Sequence, residues 1–178
     1  ADVFVDCFTG GGKMALTIPT GWFKTIVMND LNYGVYSYYK CCQERPLALL
    51  RMIEVFGEIM CLDVFMLCAR ERSTRGKHLP DNILNELEMK LNITELPKDS
   101  NGNIISDFDM LLSAAMTYWV TQGSWLGETD PNRITYALNT GTKNENEEIR
   151  KRIKVAKKRI MNINQKMTRQ NYIVENMD

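Results

Sequence analysis

Val3, Phe4 and Val5 form a short run of β-forming residues, and the chain then passes through Asp6-Cys7-Phe8 into Thr9-Gly10-Gly11-Gly12. Lys13 to Thr17 can start a helix before Pro19 and Gly21 end it. Phe23 to Met28 is a second apolar, β-rich run that stops at Asn29-Asp30-Leu31-Asn32, after which helical spacing continues through Tyr33, Tyr36, Tyr39 and Lys40. Strand, glycine turn, helix and strand in that order predict the opening of a parallel α/β sheet, because parallel neighbours need a crossover connection. In such sheets ligands bind beyond the carboxyl ends of the strands.

Both predicted strand ends carry an acid: Asp6 follows the first and Asp30 the second. Glycines after strand one let the backbone approach a ligand closely, and an acid after strand two can accept hydrogen bonds from ribose hydroxyls. The glycines do not form a P-loop, since Lys13 is followed by Met14 and an earlier glycine is lacking, and they do not complete a G-x-G-x-x-G. Two readings stay open at this level: a site for a nucleoside-containing ligand, or a tight turn with no ligand.

The chain has 178 residues, enough for one substantial core. At 44% hydrophobic and 25% charged it is neither disordered, collagen-like nor a membrane bundle. Its 22 basic and 22 acidic residues cancel, but the cancellation hides a segregation. Nine basic residues and no acid lie between Ile149 and Val174, which leaves the remainder with a net charge of −9. Such asymmetry points weakly to a polyanion. The five cysteines (Cys7, Cys41, Cys42, Cys61, Cys68) include no C-x-x-C, and His78 is the one histidine, so no zinc set is expected. Free thiols in a reducing cytosol are the expectation, with no metal and no membrane span. The first residue is not Met and the last are Asn176-Met177-Asp178, so a fragment cut at both ends is expected.

Leu47 to Arg70 has Leu, Met, Ile, Phe and Val at helical spacing with Gly57 as its one weak point, and reads as core. Pro80-Asp81 opens a short amphipathic helix through Leu84, Leu87 and Leu91. Asp99-Ser100-Asn101-Gly102-Asn103 is a turn; it lacks the terminal Glu of a calcium loop. Ser106-Asp107-Phe108-Asp109 has capping-box form and opens a helix to about Val120, followed by Thr121-Gln122-Gly123-Ser124-Trp125-Leu126-Gly127. Asn144 to Met167 places Ile149, Ile153, Ala156, Ile160, Ile163 and Met167 on one face, with Glu145, Glu147 and Glu148 in the first turn and the bases opposite. That basic face is either simply solvated or touches phosphate. Tyr172-Ile173-Val174 is a third strand.

The segment Val5-Asp6-Cys7-Phe8-Thr9-Gly10-Gly11-Gly12 resembles the "V-E-P-F-x-G-x-G" motif of Dam-like, adenine-specific DNA methyltransferases, and Asn29-Asp30-Leu31-Asn32 resembles the "N/A-D-I-N" that comes after it in those enzymes. The resemblance implies that Phe8, Thr9 and Gly10, Gly11 and Gly12 flank S-adenosylmethionine, that Asn29-Asp30 meets its ribose, and that Asp6 stands for a Glu near its methionine end. Cys7 replaces the family's Pro. Trp125, between small residues, is similar to the aromatic of "N-R-x-G-Y-N-G"; it would enter the base stack, with Gln122 and Ser124 beside it at a base edge or phosphate. Lys158-Arg159-Ile160-Met161-Asn162 resembles the "K-R-I-x-N" tail of the family's helix before the third strand; if the basic face touches phosphate, Arg150, Lys154 and Lys158 are its candidates, and by the resemblance Asp178 takes the place of an Asp beside the cofactor's adenine.

The resemblance further implies a partial Rossmann-like α/β sheet with a helical insertion forming the DNA-recognition region. Residues 1–45 would be the cofactor-binding part, 46–142 the insertion, and 143–178 the basic helix and third strand. Such enzymes transfer a methyl group to the exocyclic nitrogen of a flipped adenine in double-stranded DNA, act as cytoplasmic monomers, and occur in bacteria and phages, some in restriction-modification systems. Their "D-P-P-Y" catalytic loop is missing: no Pro-Pro occurs, and Asp130-Pro131-Asn132-Arg133 precedes the third strand. The "K-W-x-G-G-K" segment is missing too. No catalytic residue is therefore expected in this chain, the loop is expected past Asp178, and the chain alone is expected to be inactive. The alternatives are a dinucleotide-binding oxidoreductase domain, with Asp30 on a ribose, and a non-catalytic DNA-binding module.

Overall fold

The computed structural model describes residues 2–123 and 145–177. Within them the order is β1 (Val3–Asp6), α1 (Lys13–Thr17), β2 (Thr25–Asn29), α2 (Tyr33–Glu44), α3 (Pro46–Glu58), α4 (Leu62–Glu71), α5 (Asp81–Leu91), α6 (Ser106–Gly123), α7 (Glu145–Arg169) and β3 (Asn171–Glu175). The strands form a three-stranded sheet in the order β1-β2-β3, parallel throughout, with Val5 opposite Val27 and Val27 opposite Ile173. The expected mixed α/β architecture with a parallel sheet is thus present.

The period-two alternation of the strands explains which sheet face carries helices. Ile26, Met28, Tyr172 and Val174 are buried, with Phe4 packed against them, while Val3, Val5 and Ile173 on the other face are exposed. The Tyr172 hydroxyl crosses the buried face to donate to the Ala15 carbonyl at 3.1 Å, which pins α1. Tyr38, Tyr39, Cys41 and Cys42 of α2 continue the same core into the helices.

The helical part differs from the pattern in the sequence most clearly between Leu47 and Arg70. The apolar run from Leu47 to Arg70 is two helices, because the chain leaves helical geometry at Ile59 and is fully extended at Cys61. The break falls just after Gly57, the weak point in the sequence, and the same glycine also has a packing role. A Cβ there would lie 2.9 Å from the Trp119 ring and 3.2 Å from both Ile149 and Ile153, so this glycine is where α3 admits α6 and α7. The Trp119 indole donates to the Ile53 carbonyl at 2.9 Å one turn away, which leaves the ring no room to retreat. Gly57→Ala is expected to destabilise the protein by about 1–3 kcal/mol, the usual cost of overpacking, despite alanine's better helix propensity. Urea denaturation measures it, and a stabilised variant would contradict the packing argument.

The α7 stripe is buried as its spacing predicts: Ile149, Ala156, Ile160, Ile163 and Met167 are all core residues. The predicted Asp99 turn is a tight hairpin in which the Asp99 carboxylate accepts from the Asn101 and Asn103 backbone N–H groups at 2.8 and 2.9 Å. Those bonds, with a further one from the Asn103 side chain, hold its pKa below the usual range. Cys41, Cys42 and Cys68 are buried free thiols, and burial pushes Cys41 up to about 12; Cys7 and Cys61 are exposed. Among the described residues no helix is long and apolar enough to cross a membrane.

Candidate functional site

The carboxyl ends of the three strands are laced together by polar groups from the loops beyond them. The Thr9 backbone N–H and hydroxyl both donate to the Asn29 carbonyl at 3.1 Å, so the loop after β1 is tied to the end of β2. Asp30 completes the tie. One carboxylate oxygen accepts from Gly10 N–H at 2.8 Å and the other from Asn32 N–H at 2.9 Å. A carboxylate offers about four lone-pair sites, so two remain to accept from ligand hydroxyls.

Gly12 is required here on two counts. Its φ is +68°, and a Cβ would lie 2.7 Å from Cζ of Tyr39. A Cβ on Gly11 would meet nothing within 4 Å, so the loop opens outward at this residue. Phe8, at 81% exposure, and Leu31, at 55%, stand free after β1 and β2, and Asp6 is half-buried at the end of β1.

The exit from β3 is held just as closely. Asn29 donates from Nδ2 to the Met177 carbonyl at 3.0 Å and accepts from Met177 N–H at 2.9 Å, a paired contact that occupies both ends of its amide. Asn176 donates to the carbonyls of Asp30 and Leu31 at 2.6 and 3.0 Å. The α4–α5 connection reaches the same place: the Ser73 hydroxyl donates to Asn32 at 2.9 Å and Arg75 to Asn176 at 2.6 Å. Asp178 lies outside the described residues.

A cavity of about 440 Å³ lies between Gly10–Gly11 and helices α2, α6 and α7. Tyr38, Tyr39, Thr117, Tyr118, Gln122 and Arg159 are among its walls. Gln122 falls within α6, which runs past its predicted end at Val120, and it faces this cavity. Burial pushes the Tyr39 and Tyr118 phenols up to about 12, so both stay protonated near neutrality. The other loop residues assigned to DNA, Ser124 and Trp125, lie outside the described residues, as does Asp130-Pro131.

Arg159 is the residue that sequence reasoning misses. Its guanidinium donates to the Gly11 carbonyl at 3.5 Å and lies 5.9 Å from the Tyr38 ring centre. The signal is spacing. Arg152, Arg159 and Lys166 recur every seventh residue along the edge of the apolar stripe, and all three are half-buried. Lys166 likewise turns inward, donating to the Ile18 carbonyl at 2.6 Å.

Arg150, Lys154 and Lys158 recur every fourth residue on the outer face and are exposed. The glutamates of the first turn pair instead with Lys151 (Glu147, 3.1 Å) and Arg152 (Glu148, 3.2 Å). Among the described residues no carboxylate pairs with Arg150, Lys154 or Lys158. Replacing all three with Gln is expected to reduce the slope of log affinity against log salt for duplex DNA by about 2.7, near 0.9 for each phosphate no longer neutralised. Fluorescence anisotropy across a salt series reads it, and an unchanged slope would remove this face from the interface.

No curated protein and no solved structure matches this chain. Residues 1–66 match the family model described as D12 class N6 adenine-specific DNA methyltransferase. The matched segment carries β1, the glycine loop, β2 and Asp30, the parts that the geometry draws together at the strand ends. Over its first 66 residues the chain is thus similar to the N6 adenine-specific DNA methyltransferases of the D12 class.

Proposed function

We propose that the chain binds S-adenosylmethionine at the carboxyl ends of β1, β2 and β3 and takes part in methylating the exocyclic nitrogen of adenine in double-stranded DNA. The observation that carries this reading is the clamp of Asp30 on Gly10, which sets a carboxylate with unused lone pairs beside an outward-opening glycine loop. The residues fit the cofactor: Asp30 for ribose hydroxyls, the exposed Phe8 and Leu31 for an apolar ring, and the bare Gly10–Gly11 backbone for close approach. The bound cofactor supplies an electrophilic methyl group. The chain's own residues orient and bind, since the family's D-P-P-Y clamp for the adenine amino group needs a Pro-Pro that these 178 residues do not contain.

In this reading the sheet is part of a Rossmann-like core. Residues 1–45 hold the cofactor, 46–142 form the recognition region, and 143–178 return the chain to the sheet. Base flipping brings the adenine out of the duplex, with Trp125 as the side chain that enters the stack and Gln122 near a base edge. Calorimetric titration tests the cofactor assignment: S-adenosylmethionine binds and NAD does not. Binding of NAD alone would replace this reading with a dinucleotide-binding domain, and DNA binding with neither cofactor would leave a DNA-binding module.

A further inference from the structure

The Gly10–Gly11 segment is flanked by opposite charges. Asp30 holds the Gly10 amide, and Arg159 reaches the carbonyl of the next residue, Gly11, from α7. Adjacent Cα atoms are about 3.8 Å apart, so the carboxylate and the guanidinium hold neighbouring points of one loop. The same guanidinium also hydrogen-bonds the Tyr39 side chain.

Arg159 has an unusual environment for a cation. It is half-buried, and among the described residues no carboxylate pairs with it. Its neighbours are two aromatic rings, a carbonyl and the 440 Å³ cavity. A guanidinium withdrawn from water with no counter-ion is costly, and an anion delivered by a ligand removes that cost. Its forked donors match a carboxylate.

We propose that Arg159 receives the α-carboxylate of S-adenosylmethionine, so that the amino-acid end of the cofactor lies along the Gly10–Gly11 segment. The inference rests on the reading of the glycine loop as the cofactor site. It adds a cation from the DNA-facing helix to that site, so one helix would address the DNA backbone through Lys154 and Lys158 and the cofactor through Arg159.

Three ligands distinguish the role of Arg159 from the cofactor site itself in calorimetric titrations of the full chain: S-adenosylmethionine, its decarboxylated analogue, and 5′-deoxy-5′-methylthioadenosine, which lacks the whole amino-acid end. The unaltered protein is expected to prefer S-adenosylmethionine over the decarboxylated analogue by about tenfold or more, the value of a charge-assisted hydrogen bond. In Arg159→Met, and again in Arg159→Gln, that preference falls to within about twofold, while 5′-deoxy-5′-methylthioadenosine binds as before. Retained binding of this truncated nucleoside shows that the variant is folded and the nucleoside half intact. A preference that survives both substitutions, or is missing from the unaltered protein, overturns the role of Arg159 and leaves the cofactor site standing. If none of the three ligands binds the unaltered protein, the cofactor reading fails and this inference with it.

Discussion

Asp30→Ala is expected to bind S-adenosylmethionine about 100-fold more weakly than the unaltered chain, because the substitution removes two things together. The first is the acceptor proposed for the ribose hydroxyls, where each charge-assisted hydrogen bond contributes about 1.5–3 kcal/mol. The second is the clamp at 2.8 Å on Gly10 N–H, without which the loop after β1 is held to β2 mainly through Thr9. Asp30→Asn separates the two contributions. An asparagine oxygen can still accept from one backbone amide but its NH₂ cannot accept from the other, so about a tenfold loss is expected. Calorimetry on both variants, with circular dichroism to confirm retained structure, gives the ordering. Affinities within about threefold of the unaltered protein in Asp30→Ala would mean that the acid only braces the loop.

The same residue shows what the sequence can disclose. Asp30 is identifiable because its signal is local: an acid directly after a β-run, two dozen residues beyond another such acid. The three strands and the α7 stripe are legible for the same reason, since periods of two and of 3.6 need only neighbours along the chain. The break at Ile59 is legible only as the glycine two residues before it; that Trp119, Ile149 and Ile153 pack on that glycine is not, since they lie far along the chain. Arg159 blends in with the other bases of α7, although its place on the edge of the stripe sets it apart from Lys154 and Lys158. Asp109 reads as part of a capping box, yet its carboxylate accepts from the Tyr33 hydroxyl at 2.9 Å and pairs with Lys77 at 3.1 Å. No local pattern reports a partner 32 residues away in the chain.

That pair leads to the largest expected loss of stability. Lys77 is fully buried, and its ammonium donates to the Thr74 carbonyl at 2.7 Å, to the Ser113 hydroxyl and to Asp109, where the side chain is only 7% exposed. Burial lowers the Lys77 pKa, while Asp109 pulls the other way. Lys77→Met leaves the Asp109 carboxylate buried with the Tyr33 hydroxyl to donate to it and no cation beside it, and breaking a buried pair in this way costs about 3–5 kcal/mol. For a domain of this size that lowers Tm by roughly 10 °C. The consequence reaches the strand ends, because Lys77 anchors the connection from which Ser73 and Arg75 hold Asn32 and Asn176. A loss of affinity for S-adenosylmethionine is therefore expected at temperatures where the variant is still folded. Lys77→Met combined with Asp109→Leu is the decisive partner, since removing both charges takes away the unpaired carboxylate. If uncompensated charge is the cause, the double variant regains most of the stability lost by the single one. A double variant as unstable as Lys77→Met would instead place the cost in the packing of the loop itself.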